Sequence, residues 1–192
     1  MELLDAILHK VLHGKTNMAS KQQTKLTDEE RIVQAENYKA EGNEFFKKEE
    51  YKSAMKKYHF ALLYLKGIGE KHPITGEQNI LSDDWKQRHD EITFGCNNNL
   101  AACLIKEKKW EKVIKYSNLA LEVHPDNVKA LFRKGQAYYH VKNWDKAFEA
   151  IVQAGKIQPD DANIKKYHAK LEVELKKYRE KEKAMYAGMF GK

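Results

Sequence analysis

Three separations of 34 residues constrain this chain more tightly than any other feature. Aligning "NLAACLIKEKKWEKVIKYSNLALEVHPDN" with "LFRKGQAYYHVKNWDKAFEAIVQAGKIQPDD" pairs Ala101 with Gly135, Ala120 with Ala154 and Pro125 with Pro159, each 34 residues apart. A third copy, "YKAEGNEFFKKEEYKSAMKKYHFALLYL", keeps the inner spacing: Gly42 to Ala61, Ala101 to Ala120 and Gly135 to Ala154 are each 19 residues. A unit of this size cannot bury its own apolar face, so copies stack and share a continuous core. Small residues recur at fixed positions, as do the aromatics Tyr51, Trp110 and Trp144, one in each copy. Pro125 and Pro159 can end helices, because Pro has no amide to continue the ladder. Composition agrees: 33% of residues are charged and only three are Pro and ten Gly, with strand-like alternation nearly absent.

The copies are not identical. Val113 stands where the other two have Ala54 and Ala147, and the first copy lacks the closing Pro. The second copy begins 25 residues later than a strict period allows, and the extra material is "KGIGEKHPITGEQNILSDDWKQRHDEI". Gly67, Gly69, Pro73 and Gly76 predict a loop there, and Ser82 predicts an N-cap that opens a lengthened helix. Upstream, Thr27 with Glu30 three residues on predicts a capping box. Downstream, Ile164, Tyr167, Leu171, Leu175 and Tyr178 form a helical stripe expected to cover the open end of the third copy. Glu180 and Glu182 break up the positive face of the tail that carries Met185, Tyr186, Met189 and Phe190, which suits a continued cap.

Several function classes are excluded at this level. Cys96 and Cys103 lie seven residues apart on one expected helix, about 10 Å along its axis, too far to bond each other. Reduced thiols and a cytoplasmic location are expected, since no apolar run nears the roughly 18 to 20 residues of a membrane span and no secretory signal is present. "LLDAILHKVLHG" places Leu4, Ile7, Leu8, Val11 and Leu12 on one helical face, so residues 1–26 are expected to be an amphipathic helix with a flexible linker. His9 and His13 lack the further ligands of a metal site. In "RHDE" the acid and base are adjacent, positions that do not face each other on a helix, so no catalytic pair is expected. Without a phosphate loop or a nucleophile elbow, the chain is expected to be no enzyme and to need no cofactor.

The period and its small, aromatic and Pro landmarks resemble the tetratricopeptide repeat, a pair of antiparallel helices. The resemblance implies that small residues sit where the two helices approach closely, that Tyr51, Trp110 and Trp144 begin the second helix of each pair, and that Pro125 and Pro159 close second helices. More specifically, "YHFALLYLKGIGEKHP", "NNNLAAC", "KALFRKGQAYYHVKNWDKA" and "REKEKAMYAGMFGK" resemble the tetratricopeptide repeat protein 9 family and, more distantly, the co-chaperone half of the large immunophilins, over about residues 30–192. The fold implied is all-α, with three tetratricopeptide repeats forming a right-handed helical solenoid closed by a C-terminal capping helix. Within a domain spanning 27–192, repeat 1 is expected at about 35–66, the insertion at 67–93, repeat 2 at 94–127, repeat 3 at 128–161 and the cap at 162–190.

In clamp-type members of this wider group, the first helices line a groove that binds the C-terminal Glu-Glu-Val-Asp tail of heat-shock protein 90 or 70. The resemblance carries that role to Lys39, Asn43, Asn99, Lys129 and Arg133, with Phe46 and Ala102 as an apolar pocket for the penultimate Val and Lys106 reaching an upstream acid. The residues support it independently. Lys39 and Asn43, like Lys129 and Arg133, are one helical turn apart, and two cations at that spacing repel unless something negative sits over them. An adaptor that docks a chaperone tail and brings a further protein partner is therefore expected. The alternative is a groove that takes a different or internal peptide. The formal charge of +7 also fits nucleic acid, but no platform of aromatics interleaved with basic residues accompanies it, so nucleic-acid binding is not expected.

Overall fold

Thr27 starts the first helix through both halves of a capping box. Its hydroxyl accepts from the Glu30 amide at 3.2 Å, and its own amide donates to the Glu30 carboxylate at 2.9 Å. The computed structural model describes residues 26–69, 76 and 80–190. The expected N-terminal helix and the His9/His13 pair fall outside the described residues. Within them are seven helices and no strands: α1 (Asp28–Lys47), α2 (Tyr51–Leu65), α3 (Asp83–Lys106), α4 (Trp110–Val123), α5 (Val128–His140), α6 (Trp144–Ile157) and α7 (Ala162–Phe190).

Helix ends follow local chemistry. Asn127 and Asn143 cap α5 and α6 by accepting from the amides of Ala130 at 3.1 Å and Lys146 at 3.3 Å. Asp161 takes the amides of Asn163 at 2.8 Å and Ile164 at 3.0 Å and so begins α7. Tyr51, Trp110 and Trp144 open the three second helices as expected, and α4 and α6 each stop two residues before a Pro. Ser82 occupies the N-cap of α3, but its side chain makes no capping bond. At 24 residues α3 is far longer than α5, at 13, so the insertion does extend a helix. Gly67, Gly69 and Gly76 all have positive φ, the backbone shape that a Gly-marked loop requires.

The small-residue landmarks are contact points. A Cβ on Gly42 would lie 2.6 Å from the Tyr58 ring, and one on Gly135 would lie 2.7 Å from the Ile151 side chain. Ala61, Ala120 and Ala154 are fully buried. Each pair of helices packs tightly, and neighbouring pairs then meet in a regular way. First helices touch first helices, α1 to α3, α3 to α5 and α5 to α7, whereas α2 and α4, and α4 and α6, stay apart at the backbone level. Close inner helices and spread outer ones curve the stack, with α1, α3 and α5 on its inner side.

The cap differs from expectation at its outer end. Ile164, Leu171 and Leu175 are buried against the third pair, but Tyr178 is 44% exposed, so the packed stripe stops one turn earlier than the sequence suggested. Cys96 and Cys103 are free and buried, and burial pushes both thiols up to about 12.

Among the described residues, three non-Gly residues have positive φ, one in the turn within each pair: Glu49 at 60°, Lys108 at 56° and Lys142 at 61°. A left-handed conformation costs an L-residue roughly 1–2 kcal/mol, partly offset in Gly by its greater unfolded-state entropy. Lys142→Gly is therefore expected to stabilise the fold by about 0.5–1 kcal/mol and raise Tm by about 2 °C. Gly135→Ala should have the opposite sign, costing about 1–3 kcal/mol, because its methyl would be driven into Ile151 and the Ala147 carbonyl. Thermal unfolding followed by circular dichroism checks both signs.

Candidate peptide-binding groove

The inner helices run parallel in a fixed register. Asn99 Nδ2 donates to Asn43 Oδ1 at 2.9 Å, a pairing of α3 with α1 across 56 residues. The same offset sets Lys39 beside Gly95, whose missing side chain leaves room for the Lys39 stem: a Cβ there would lie 3.0 Å from Lys39 Cε and 3.2 Å from Nζ. Lys39 Nζ also donates to the Glu91 carbonyl at 3.4 Å. Because α3 lies between α1 and α5, a Lys39 side chain laid across α3 extends toward α5. On that side Arg133 donates to Asn98 Oδ1, across 35 residues. By the spacing of the repeats, Lys39, Gly95 and Lys129 fall at one level and Asn43, Asn99 and Arg133 at the next, two rows one helical turn apart.

The amides are held by the core. Tyr58 is fully buried, yet its hydroxyl donates to Asn43 Oδ1 at 2.9 Å and lies 3.4 Å from Asn99 Nδ2. Two donors on the Asn43 oxygen fix its orientation, which leaves its NH2 group turned away from them. Burial raises the Tyr58 hydroxyl well above the ordinary phenol range, so it stays a donor at any physiological pH. Burial likewise lowers the Arg133 guanidinium from its usual value, with the nearby Cys103 acting in the other direction. A guanidinium nonetheless remains charged.

Asn97 and Asn98 are 4% and 8% exposed, in the helix that the sequence marks with three consecutive Asn. Asn98, Tyr58 and Gly95 were not singled out by sequence reasoning as site residues. The Asn run was the available signal, since a buried Asn generally needs a hydrogen-bond partner; Asn98 has one in Arg133, while the Asn97 Oδ1 oxygen has none. Lys129 is exposed one turn before Arg133 and has no contact of its own with the other site residues. Phe46 and Ala102 are half-buried, and Phe46 lines a shallow depression with Ala40, Asn43, Glu44 and Lys47. Lys106 stands apart from the two rows, with its Nζ 5.7 Å above the Tyr51 ring.

The electrostatics are one-sided. Among the described residues, no carboxylate lies within ion-pairing distance of Lys39, Lys129, Arg133 or Lys106. Nearby acids are engaged elsewhere, Glu36 with Arg88, Glu41 with Lys57 and Glu44 with Lys47. Cations with free ammonium and guanidinium donors beside oriented amides suit a compact anion with more than one oxygen to offer. One expectation is corrected. His89 and Asp90 do meet, Nδ1 to Oδ1 at 3.0 Å, because both side chains bend along the surface of α3.

Comparison with known proteins places this geometry in context. A family profile described as "Tetratricopeptide repeat" matches residues 128–161. Tetratricopeptide repeat protein 9C of Xenopus tropicalis is 34% identical over 167 residues, 83% of this chain and 94% of that protein. The peptidyl-prolyl cis-trans isomerase FKBP42 of Arabidopsis thaliana is 34% identical over 88% of this chain, but the chain spans only 44% of its length. Among solved structures, the C-terminal TPR-containing domain of a Plasmodium falciparum FK506-binding protein superposes with a TM-score of 0.73 at 31% identity, covering 81% of this chain and 97% of that one. The first TPR of Spaghetti (RPAP3), bound to the HSP90 peptide SRMEEVD, shares the fold at a TM-score of 0.58 and 18% identity, covering 75% of this chain and 94% of that one.

Removing the Tyr58 hydroxyl tests whether the core orients the amides. Tyr58→Phe is expected to cost about 1 kcal/mol, the worth of a typical internal hydrogen bond, measured by urea unfolding. The Asn43 and Asn99 side-chain amide resonances should move in the same variant. A variant with unshifted amides would show that the two Asn are held without Tyr58.

Proposed function

The chain belongs to the tetratricopeptide repeat protein 9 family, and from that premise we propose that it is a non-enzymatic adaptor whose inner groove docks the free C-terminus of an acidic peptide. The tail of heat-shock protein 90 or 70, ending Glu-Glu-Val-Asp, is the ligand that fits best. The observation that carries this reading is the set of uncompensated cations, Lys39, Lys129 and Arg133, arranged around the bonded pair Asn43 and Asn99. A terminal Asp presents two carboxylates within one residue, and two parallel rows of donors one turn apart can engage both. The similar fold of a domain bound to an HSP90 peptide with this ending supports the same use of the groove here.

Each residue has a distinct part. Arg133 is already anchored on Asn98, so its remaining N–H groups are presented in a fixed fork. Lys129 is exposed and contributes charge without a structural bond. Asn43 and Asn99 offer neutral donors whose orientation the core has set before binding. Phe46 and Ala102 supply apolar surface beside Asn43 and Asn99 for the penultimate Val, and Lys106 lies further along α3 for an upstream acid. Charge-assisted hydrogen bonds contribute about 1.5–3 kcal/mol each, so a few of them leave a net of about −8 kcal/mol, near micromolar affinity, after ordering costs. Such affinity suits reversible docking.

Isothermal calorimetry with a peptide ending Glu-Glu-Val-Asp is expected to give a Kd of roughly 1–10 µM. Lys129→Ala should weaken it at least about tenfold without loss of stability, because that side chain supports nothing else. Amidating the peptide's terminus should have an effect of similar size. Binding that ignores both changes would contradict the proposal and favour recognition of an internal peptide.

A further inference from the structure

The flank of α1 turned away from α3 carries an aromatic cluster that the groove does not use. Lys39 and Asn43 reach α3, whereas Tyr38, about 100° round the helix from Lys39, stands against the outer flank of α2. Its ring meets that of Phe60 at 5.5 Å and that of Tyr64 at 5.4 Å between centroids. Lys57 stands 5.3 Å over the Tyr38 ring and pairs with Glu41, and Lys56 stands 6.0 Å from the Phe60 ring. The other flank of α2 faces along the stack, where His59 meets Tyr116 of α4 at 5.8 Å.

The aromatic flank is the first end of the stack. In the second and third copies the position of Tyr38 is taken by Asn97 and Leu131, each four residues before the small residue of its first helix. Those two are 4% and 2% exposed, on helices that the preceding pair packs against, α2 on α3 and α4 on α5. Tyr38 is only half-buried, and among the described helices α1 touches α2 and α3 alone. The last end of the stack is covered by α7, and a terminal repeat without a comparable cover leaves its stacking face to water.

The chain that precedes α1 has a surface to match. Leu4, Ile7, Leu8, Val11 and Leu12 recur at the spacing of one helical face, bordered by Asp5. A stretch this short is marginal as a free helix in water and is stabilised by burying such a face. Residues 14–26 can span about 43 Å when extended. The cluster is nearer than that. Tyr38 lies ten residues into α1, about 15 Å along its axis, and Arg31 donates to the Lys66 carbonyl at 2.6 Å, which brings the Tyr64 end of α2 beside the start of α1. Among the described residues Lys56 has no carboxylate partner, so the rim of the cluster offers a cation to Asp5.

We propose that residues 4–12 fold back as an amphipathic helix onto the Tyr38–Phe60–Tyr64 cluster of the same molecule, closing the first end of the stack as α7 closes the last. This docking is independent of what the groove binds.

The test is methyl NMR of the full ¹³C-labelled chain, with light scattering to give its mass. The Ile7 and Val11 methyl resonances are expected upfield of their unstructured positions, moved there by the aromatic rings, in a monomer. Phe60→Leu, which keeps apolar bulk and removes one ring, should reduce that shift. Ile7→Asp/Val11→Asp alters no residue of the repeats, and it should return the Leu4, Leu8 and Leu12 methyls to unstructured positions and lower Tm by about 3 °C. Methyls at unstructured positions in the unaltered chain would overturn the proposal, as would an upfield shift indifferent to Phe60→Leu or a Tm indifferent to the double substitution. A dimer that the double substitution dissociates would assign the segment to a second copy, and the fold-back would be overturned equally.

Discussion

Close approach of paired helices at a few small residues is the constraint on which the molecule depends. At Gly42 and Gly135 there is no space for even one additional carbon. The contact leaves Tyr58 lying against α1 and Ile151 against α5, and it brings each second helix to a set depth beneath its first. Repetition of the same contact makes the inner helices parallel and nearly constant in register. Interior packing at crystal-like density tolerates no drift in that register, so polar residues far apart in sequence recur at the same level.

The groove is a consequence of this register. Asn43 meets Asn99, and Arg133 meets the neighbouring Asn98, because α3 is held between α1 and α5. Tyr58 links the two scales, since its ring fills the space left by Gly42 while its hydroxyl orients the amides. Packing and site geometry are therefore not separable at this residue. Among the described residues, no carboxylate pairs with Lys39, Lys129 or Arg133 around these amides. Unpaired cations of this kind are what the proposed docking of an anionic partner draws on.

Much of this was legible in the sequence because it depends on spacing. A repeat of 34 residues specifies stacked copies, its resemblance to the tetratricopeptide repeat implies helix pairs, and Tyr51, Trp110, Trp144, Pro125 and Pro159 mark where those helices start and stop. The capping box at Thr27 is equally local. What escaped depends on side-chain placement in three dimensions. Asn98 holds Arg133 from a buried position that only helix packing defines, and Gly95 matters because a side chain from another helix crosses it. Tyr178 continues the α7 stripe by periodicity, yet it is 44% exposed, a matter of packing that spacing does not register. His89 reaches Asp90 because exposed side chains can lean along a helix, a freedom that positional rules ignore.

The most direct measurement is a chemical-shift map of the ¹⁵N-labelled chain as a Glu-Glu-Val-Asp peptide is added. The Asn43 and Asn99 side-chain amides and the Arg133 guanidinium should show the largest changes, with backbone shifts concentrated on α1, α3 and α5. Changes confined to the outer helices, with those three side chains unmoved, would contradict a groove built to hold a peptide's carboxylate end.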